Sequence, residues 1–450
     1  MDRLSATGPT GIHDHLLAHP DVKVLFTDEA HIAGMLAFEA ALARAEADCG
    51  VIPAGAGDAI TEAIATLTIA PASLSEPTRD DGVPVPELVR QIRAHVGGDA
   101  AQYVHWGATS QDVIDTSFML RLRHAVDMIA GELRRTGDAL AQLTEANSDT
   151  VMLGRTRAMH AVPTTFGAKT AVWLGMIARH LARYAELKPR LGAHVVSLGG
   201  AVGTRSILGE DGAAVLARMG PELGLDTAPS EGVWHTARDV LTEALGWAAH
   251  ASVSLGKAGA DILDLASNDV AEVSVPGGAS STMPNKVNPI AAEMLVTLAR
   301  ANATAVSGVL HGGLQAHERG GDGWTVEWIF APDILVHSFT AARTAADLMA
   351  GLKPRADRMR ANLDAGLGLP YAEMASFALA KVLPRPDAQA AVKAACQKAA
   401  AEGSQLRPLL EALNDDVDWD TVFADPWIAE SARNPIDAAL AEWAKVANAG

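Results

Sequence analysis

The sequence predicts an all-α protein made of long helices that pack as a bundle. Three long stretches carry apolar residues at helical spacing, and strand-like alternation is weak throughout the 450 residues. Alanine and leucine dominate the apolar residues, and aromatic residues make up only 4%, which favours closely packed helices. Because helices of this length rarely pack alone, a bundle is the natural arrangement.

Each long helix is predicted from its own pattern. The first covers residues 111–146, which contain no proline and place apolar residues near helical period. The second extends from about residue 238 to 267, with Gly259 on an apolar stripe where a small residue lets a neighbouring helix approach closely. The third follows Pro289 and ends near Gly312.

Domain boundaries are predicted near residues 110 and 350. They divide the chain into an N-terminal helical domain (1–110), a central long-helix bundle domain (111–350) and a small C-terminal helical domain (351–450). No internal repeat and no low-complexity linker suggests another division.

Composition and charge restrict the classes of function. The formal net charge of −18 argues against nucleic-acid binding, so an anionic substrate needs a local cationic pocket. Cys49 and Cys396 lack the spacing of a metal or redox motif. The N-terminal residues lack the apolar core of a signal peptide, and no uninterrupted apolar run reaches the length of a membrane span. We therefore expect a cytoplasmic protein.

Residues 105–112 (HWGATSQD) precede the first long helix and contain groups that can bind ligands. Thr109, Ser110 and Asp112 can cap that helix and satisfy its free N–H groups. Capping accounts for Ser110 and Asp112, which leaves His105 and Thr109 unexplained. His105 is either a hydrogen-bonded core residue or a catalytic group.

Residues 154–167 (GRTRAMHAVPTTFG) form a second polar segment. Pro163 and Thr164 are predicted to open another helix, with His160 just ahead of it. Arg155 and Arg157 are local cations in an acidic protein, and one of the two is expected to be a solvated surface arginine.

Residues 277–289 (GGASSTMPNKVNP) are the most informative segment. Ser280 and Ser281 offer hydroxyls that can transfer a proton, and Lys286 can stabilise an alkoxide or a substrate carboxylate. Asn288 is a good helix N-cap and Pro289 suits the first helical position, so a positive helix end is expected to face the same site. A plain Gly/Ser surface loop before a helix is the alternative interpretation of this segment alone.

The three segments together resemble the three signature regions of the fumarase/aspartase superfamily, in the same order. Within it, their residues are most similar to those of the 3-carboxy-cis,cis-muconate cycloisomerases, and residues 317–319 (HER) add to that resemblance. The resemblance implies a homotetramer with a central 20-helix core, five helices from each chain, and active sites that each combine signature regions from three chains. It implies no metal and no organic cofactor.

Residue roles follow from the same resemblance. Ser280 matches the catalytic serine, His160 matches a histidine that serves as acid or base, and Lys286 matches a residue that stabilises the intermediate. The implied substrate-binding residues are His105, Thr109, Ser110, Arg157, Arg238, Ser281 and Asn288.

Some positions depart from the cycloisomerase pattern. Its third signature usually contains PHKRNP, whereas this chain has Asn285 and Val287 at the histidine and arginine positions. Arg157 occupies a position where many relatives carry histidine, and it is expected to replace part of the missing positive charge. These differences leave the exact substrate open.

The resemblance is compatible with three functions. The first is a cofactor-independent cycloisomerase that lactonises 3-carboxy-cis,cis-muconate, or a close analogue, through an aci-carboxylate intermediate in aromatic catabolism. The second is a lyase that eliminates an amine or another leaving group from a substituted succinate and releases fumarate. The third is a non-enzymatic structural relative, and the presence of Ser280, His160, Lys286 and Asn288 argues against it.

Overall fold

The fold is mostly helical, as the sequence predicts. The structure, a computed structural model, describes residues 11–279, 283 and 286–447. These residues form eighteen α-helices, four short 3₁₀ helices and three two-stranded antiparallel sheets. None of the described helices is both long enough and apolar enough to cross a membrane.

The helices fall into three groups along the chain. The N-terminal group is α1 Asp14–Leu17, α2 Pro20–Lys23, α3 Asp28–Asp48, α4 Ala54–Thr66, α5 Pro71–Asp81 and α6 Val85–Val96. The middle group is α7 Ser110–Ala146, α8 Phe166–Ala193, α9 Gly212–Glu222, α10 Asp239–Ala266, α11 Ile290–Gly312 and α12 Gly321–Gly351. The C-terminal group is α13 Ala356–Asp364, α14 Ala372–Leu379, α15 Arg385–Glu402, α16 Leu406–Glu411, α17 Trp419–Val422 and α18 Asp425–Ala447.

The strands are short and sit between helices. The paired strands are β1 Val151–Thr156 with β2 Met159–Thr165, β3 Val273–Ser274 with β6 Lys353–Pro354, and β4 Gly278–Ala279 with β5 Val287–Asn288. The 3₁₀ helices are Val24–Phe26, Asp99–Tyr103, Gly209–Asp211 and Leu369–Tyr371.

The three long helices predicted from periodicity are confirmed as α7, α10 and α11. The close approach predicted at Gly259 is also confirmed. A Cβ at this position would lie 2.8 Å from the carbonyl oxygen of Ala292 and 2.9 Å from the Cβ of Leu295. Glycine is therefore required where α10 meets α11.

The predicted start of the next helix, at Pro163 and Thr164, is wrong. Both residues belong to β2, which pairs with β1, and α8 begins only at Phe166. The β-branched Thr164 and Thr165 favour this strand. Thr165 Oγ1 then accepts a hydrogen bond from the Ala168 N–H at 3.1 Å, so it caps the helix.

The predicted N-cap at Asn288 is also wrong. Asn288 is the last residue of β5 and pairs with Gly278, so its backbone is committed to a strand. Helix α11 begins at Ile290, and the carbonyl of Pro289 accepts the N–H of Glu293 at 3.1 Å. Pro289 is therefore the N-cap residue of α11. Proline suits this end of a helix because the N–H groups of the first turn have no partner within the helix, and proline has no N–H.

Residue contacts divide the chain into two compact units. Unit 1 comprises Met1–Glu132, Ala182–Val253 and Leu298–Ala342, and unit 2 comprises Leu133–Leu181, Ser254–Thr297 and Arg343–Gly450. Unit 1 has a core in which α3, α4 and α6 contribute fully buried residues such as Phe38, Ile60 and Leu88. Unit 2 has a separate cluster within α14–α17, centred on Leu379 and Leu406. The domain boundaries near residues 110 and 350 stay a prediction.

Unit 1 contains a buried carboxyl group without a hydrogen bond. Glu46 on α3 is 0% exposed, and neither of its carboxyl oxygens has a partner among the described residues. Burial, with a smaller contribution from the charge of Glu39, raises the pKa of Glu46 to about 9. The group is therefore neutral in the folded protein at neutral pH.

Glu46→Gln is expected to stabilise the protein at neutral pH. The pKa of Glu46 is 4.5 in the unfolded chain and about 9 in the folded protein. The free energy of unfolding therefore falls as the pH rises between these two values, because only the unfolded chain releases the proton. The replacement should raise the free energy of unfolding by about 2–3 kcal/mol at pH 7 and change it little at pH 4.5. Denaturant unfolding at both pH values measures this.

Exposed Glu62 on α4 provides the control for this prediction. Glu62→Gln should leave the stability nearly unchanged at both pH values. An equal stabilisation by Glu46→Gln at pH 4.5 and pH 7 would show that the effect does not come from the proton.

Candidate active site

His105, just before α7, is oriented by a buried glutamate of α3. Its Nδ1 lies 2.6 Å from Oε1 of Glu39, a side chain that is only 1% exposed. Burial opposes protonation of the ring, but the charge and the hydrogen bond of Glu39 raise the pKa of His105 above its ordinary value. The backbone φ of +62° is rare for a residue with a side chain. His105 is thus held in one orientation, with Nε2 as the nitrogen that can reach a ligand.

Asp112 on the first turn of α7 fixes the loop that follows α8. Its carboxylate is fully buried. It accepts hydrogen bonds from His235 Nε2 at 2.6 Å, Gly199 N at 2.7 Å, Gly200 N at 3.0 Å, Thr109 N at 3.0 Å and Ser197 Oγ at 3.1 Å. Burial opposes ionisation, but these donors keep the pKa of Asp112 below its ordinary value. The aspartate is therefore an ionised anchor for residues 197–200.

The sequence interpretation of Asp112 as a simple cap is incomplete and needs correction. The Thr109 N–H donates to its carboxylate as in a capping box, and Ser110 is the first residue of α7. Four further donors come from positions 197–200 and 235. No local spacing in the sequence indicates these partners, because they are 85 or more residues away.

Arg238, which precedes α10, lies in a buried ionic cluster. Nη1 and Nη2 donate to the two oxygens of Asp115 at 2.7 and 3.2 Å, while Nε and Nη2 donate to Glu327 at 2.9 and 2.5 Å. Trp324 Nε1 also donates to Asp115 at 2.9 Å, and the guanidinium lies 5.3 Å from the ring centre of Trp234. Four of the five N–H donors of Arg238 thus bind protein groups. Its substrate contact stays a prediction, and the geometry gives it a structural role.

The second signature segment forms the hairpin of β1 and β2 in unit 2. Arg155 makes a bidentate contact with the buried Glu272 at 2.8 and 2.9 Å, and Asn362 donates to the same carboxylate at 2.9 Å. Arg157 lies at the turn with φ of +52° and is exposed. Of the two arginines, Arg157 is therefore the solvated one.

His160 faces a pocket of unit 2. The residue is exposed on β2, opposite Arg155 in the strand register. The pocket has a volume of about 620 Å³, and its lining includes Arg155, His160, Lys169, Asp261 and Arg358. A histidine at the edge of a pocket of this size can exchange a proton with a bound small molecule.

The third signature segment is closed by the β4–β5 pair. A Cβ on Gly277 would lie 2.7 Å from the carbonyl oxygen of Asn288, so the close approach of the two backbones requires glycine at this position. Lys286 is exposed, and its N–H donates to the carbonyl of Met283 at 3.0 Å. Ser280, Ser281 and Asn285 lie outside the described residues.

The predicted site residues therefore fall into two groups. His105, Thr109, Ser110 and Arg238 belong to unit 1 and surround the start of α7, whereas Arg157, His160, Lys286 and Asn288 belong to unit 2. Local sequence patterns do not indicate the buried partners of the first group, which are Glu39 for His105 and the pair Asp115 and Glu327 for Arg238. Within the described ranges, no group of three or more His, Cys, Asp or Glu residues is arranged to hold a metal ion.

Comparisons with known proteins show the family to which the chain belongs. A family model described as lyase matches residues 18–304. The chain is 39% identical over 405 residues to a 3-carboxy-cis,cis-muconate cycloisomerase of Bradyrhizobium diazoefficiens. That alignment covers 88% of this chain and 89% of the relative. It is 37% identical over 428 residues to a nitrosuccinate lyase of Streptomyces davaonensis, covering 91% and 88%.

A solved structure gives the same picture. The 3-carboxy-cis,cis-muconate lactonizing enzyme from Pseudomonas putida superposes with a TM-score of 0.89 and 34% identity, covering 97% of this chain and all of that one. The chain belongs to the lyase family of the fumarase/aspartase superfamily. Within it, the chain is an enzyme similar to the 3-carboxy-cis,cis-muconate cycloisomerases.

Proposed function

We propose that this enzyme lactonises 3-carboxy-cis,cis-muconate, or a close analogue, in aromatic catabolism and needs no cofactor. The observation that carries the proposal is the similarity, over nearly the whole chain, to proteins named for this reaction in both sequence and structure. The signature segments supply the hydroxyl, histidine and cationic groups that the chemistry requires.

The reaction is an intramolecular addition followed by protonation. A substrate carboxylate oxygen adds to the diene, and the displaced electron pair moves to the carbon next to another carboxylate. That carboxylate takes up the charge as an aci-carboxylate dianion, and protonation of the carbon then completes the lactone. Stabilising the dianion is the step on which fixed hydrogen-bond donors and cations have the largest effect.

The residues divide this work between binding and proton transfer. Thr109, Ser110, Lys286 and Asn288 hold a substrate carboxylate and stabilise the dianion. Ser280 supplies the proton, and the Lys286 ammonium stabilises the alkoxide that remains. His160 serves as a second acid or base. His105, oriented by Glu39 at 2.6 Å, binds the substrate through Nε2.

The active enzyme is proposed to be a homotetramer with a 20-helix core and active sites shared between three chains. Apolar side chains exposed on the long helices support this assembly, because water contact with them is unfavourable. They are Val172 (57% exposed), Val253 (44%), Leu310 (60%) and Ile329 (63%). Light scattering at micromolar concentration should give the mass of a tetramer, and a monomer would contradict the shared-site proposal.

Arg157→Ala is expected to raise KM strongly and to change kcat less. The arginine is exposed at the turn between β1 and β2 and has no hydrogen bond or ion pair among the described residues. If it supplies charge that the third segment lacks at Asn285 and Val287, its loss weakens binding of the substrate more than the chemical step. Steady-state kinetics test this, with Lys398→Ala as an exposed-cation control on α15. Equal KM values for both variants would show that Arg157 is only a surface cation.

A second candidate function is elimination from a substituted succinate with release of fumarate. The similarity to a nitrosuccinate lyase favours it. The sequence KVNP at residues 286–289 also favours it, because it resembles the fumarase and aspartase branch. Purified enzyme should be assayed with 3-carboxy-cis,cis-muconate and, separately, for fumarate release from substituted succinates. The proposal expects the first activity to have the higher kcat/KM, and a clear preference for a succinate would overturn it.

A further inference from the structure

The pocket beside His160 contains a lysine that has no assigned role. Lys169 is half-buried in the first turn of α8 and lines the pocket together with Arg155, His160 and Arg358. The pocket holds three permanent cations, Lys169, Arg155 and Arg358, in a chain with a net charge of −18. The acidic side chains that line it are Asp261, Asp264 and Asp269, and the last two are exposed.

The other charged groups on the buried part of the lining already have partners. Arg155 is paired with Glu272 at 2.8 Å. Arg358 donates to the carbonyls of Val270 and Asp269 at 3.1 and 3.0 Å. Asp261 accepts hydrogen bonds from Trp173 Nε1 at 2.8 Å and from Lys257.

Lys169 differs from these neighbours. Its ammonium makes no hydrogen bond and no ion pair with any residue that the structure describes. Burial lowers the pKa of Lys169 and outweighs the opposing charge of Asp261, while the nearby cations Lys257 and Arg155 lower the pKa further. A half-buried cation without a partner is stabilised when an anion binds beside it.

We propose that Lys169 binds a carboxylate of the substrate in the pocket beside His160 and selects for substrates with three carboxylates. This inference rests on the proposed function. Lactonisation uses one carboxylate as the nucleophile and a second to take up the carbanion charge, so the third needs a cation of its own. The third signature segment provides fewer cations than the cycloisomerase pattern, because Asn285 and Val287 replace a histidine and an arginine.

The kinetic test compares two substrates and three variants. Lys169→Met should raise KM for 3-carboxy-cis,cis-muconate by about 10- to 100-fold, the usual worth of a hydrogen bond to a charged group, with a smaller change in kcat. KM for cis,cis-muconate, which lacks the third carboxylate, should change little. Lys169→Arg should restore most of the loss. Lys393→Met removes one exposed lysine of α15 and should behave as the parent enzyme.

A binding experiment separates this inference from the proposed function. Acetic anhydride labelling of the whole enzyme, read by mass spectrometry, should show that propane-1,2,3-tricarboxylate protects Lys169 but not Lys393. If the parent enzyme lactonises the substrate while Lys169→Met keeps its KM, the inference is overturned. If propane-1,2,3-tricarboxylate protects Lys169 but 3-carboxy-cis,cis-muconate is not turned over, the carboxylate site stands and the proposed reaction fails. Equal labelling of Lys169 with and without propane-1,2,3-tricarboxylate would also overturn the inference.

Discussion

Ser280→Ala should lower kcat by about 100-fold or more, the usual contribution of a general acid or base. A serine hydroxyl is a weak acid and takes part in proton transfer only if nearby positive charge stabilises its alkoxide. Lys286 and the start of α11 are expected to supply that charge. Closure of the glycine-led segment over the substrate would exclude water and strengthen both effects.

Ser281→Ala is the matched control for this prediction, and it should cost much less. Both serines lie outside the described residues, so kinetics must decide between them. The assembly and the melting temperature should be nearly unchanged in both variants. A larger loss in Ser281→Ala would move the catalytic assignment by one residue. If both variants stay active, the proton passes through His160, and the segment only binds and covers the substrate.

Arg238→Met should lower the free energy of unfolding by about 3–5 kcal/mol, the usual cost of breaking a buried ion pair. The change leaves Asp115 and Glu327 as two buried carboxylates without their shared cation, and both side chains are only 3% exposed. Denaturant unfolding measures the loss. Combining Arg238→Met with Asp115→Asn and Glu327→Gln should recover part of it, because the unpaired charges are removed.

Arg90 provides a matched control on α6. It makes a similar bidentate contact with Glu87, at 2.6 and 2.5 Å, but the arginine side chain is 69% exposed. Arg90→Met should therefore cost much less stability than Arg238→Met, because water screens an exposed ion pair. If Arg238→Met costs no more than this control but raises KM, then Arg238 acts as a substrate ligand and the ionic cluster contributes little to stability.

Helical periodicity is enough to predict three of the long helices of this fold, but the 31-residue helix α12 is not among the predictions. Helices α7, α10 and α11 carry apolar residues at regular spacing, and that spacing is a local property of the sequence. The hairpin of β1 and β2 was missed, because strand pairing depends on the partner strand and Pro163 resembles a helix start. Asn288 was misplaced for the same reason, since its partner Gly278 lies across the β4–β5 pair.

The candidate site shows the same limit. Motif order gives candidates for the residues that carry the chemistry, and these stay predictions, but it gives no sign of the buried groups that contact them. Glu39 is 66 residues from His105, and His235 is 123 residues from Asp112. Such contacts depend on how helices pack, so local spacing does not encode them. Buried carboxylates such as Asp115 and Glu327 look like ordinary surface residues in the sequence.

The central claim, that this enzyme closes a lactone, is tested most directly by proton NMR of the reaction in D₂O. Enzyme and 3-carboxy-cis,cis-muconate should yield a lactone with one deuterium on the carbon next to a carboxylate, because that carbon takes its proton from the enzyme after the oxygen has added. A lactone without deuterium at that carbon would contradict the carbanion mechanism. No turnover of this substrate, together with fumarate formed from a substituted succinate, would contradict the proposed function itself.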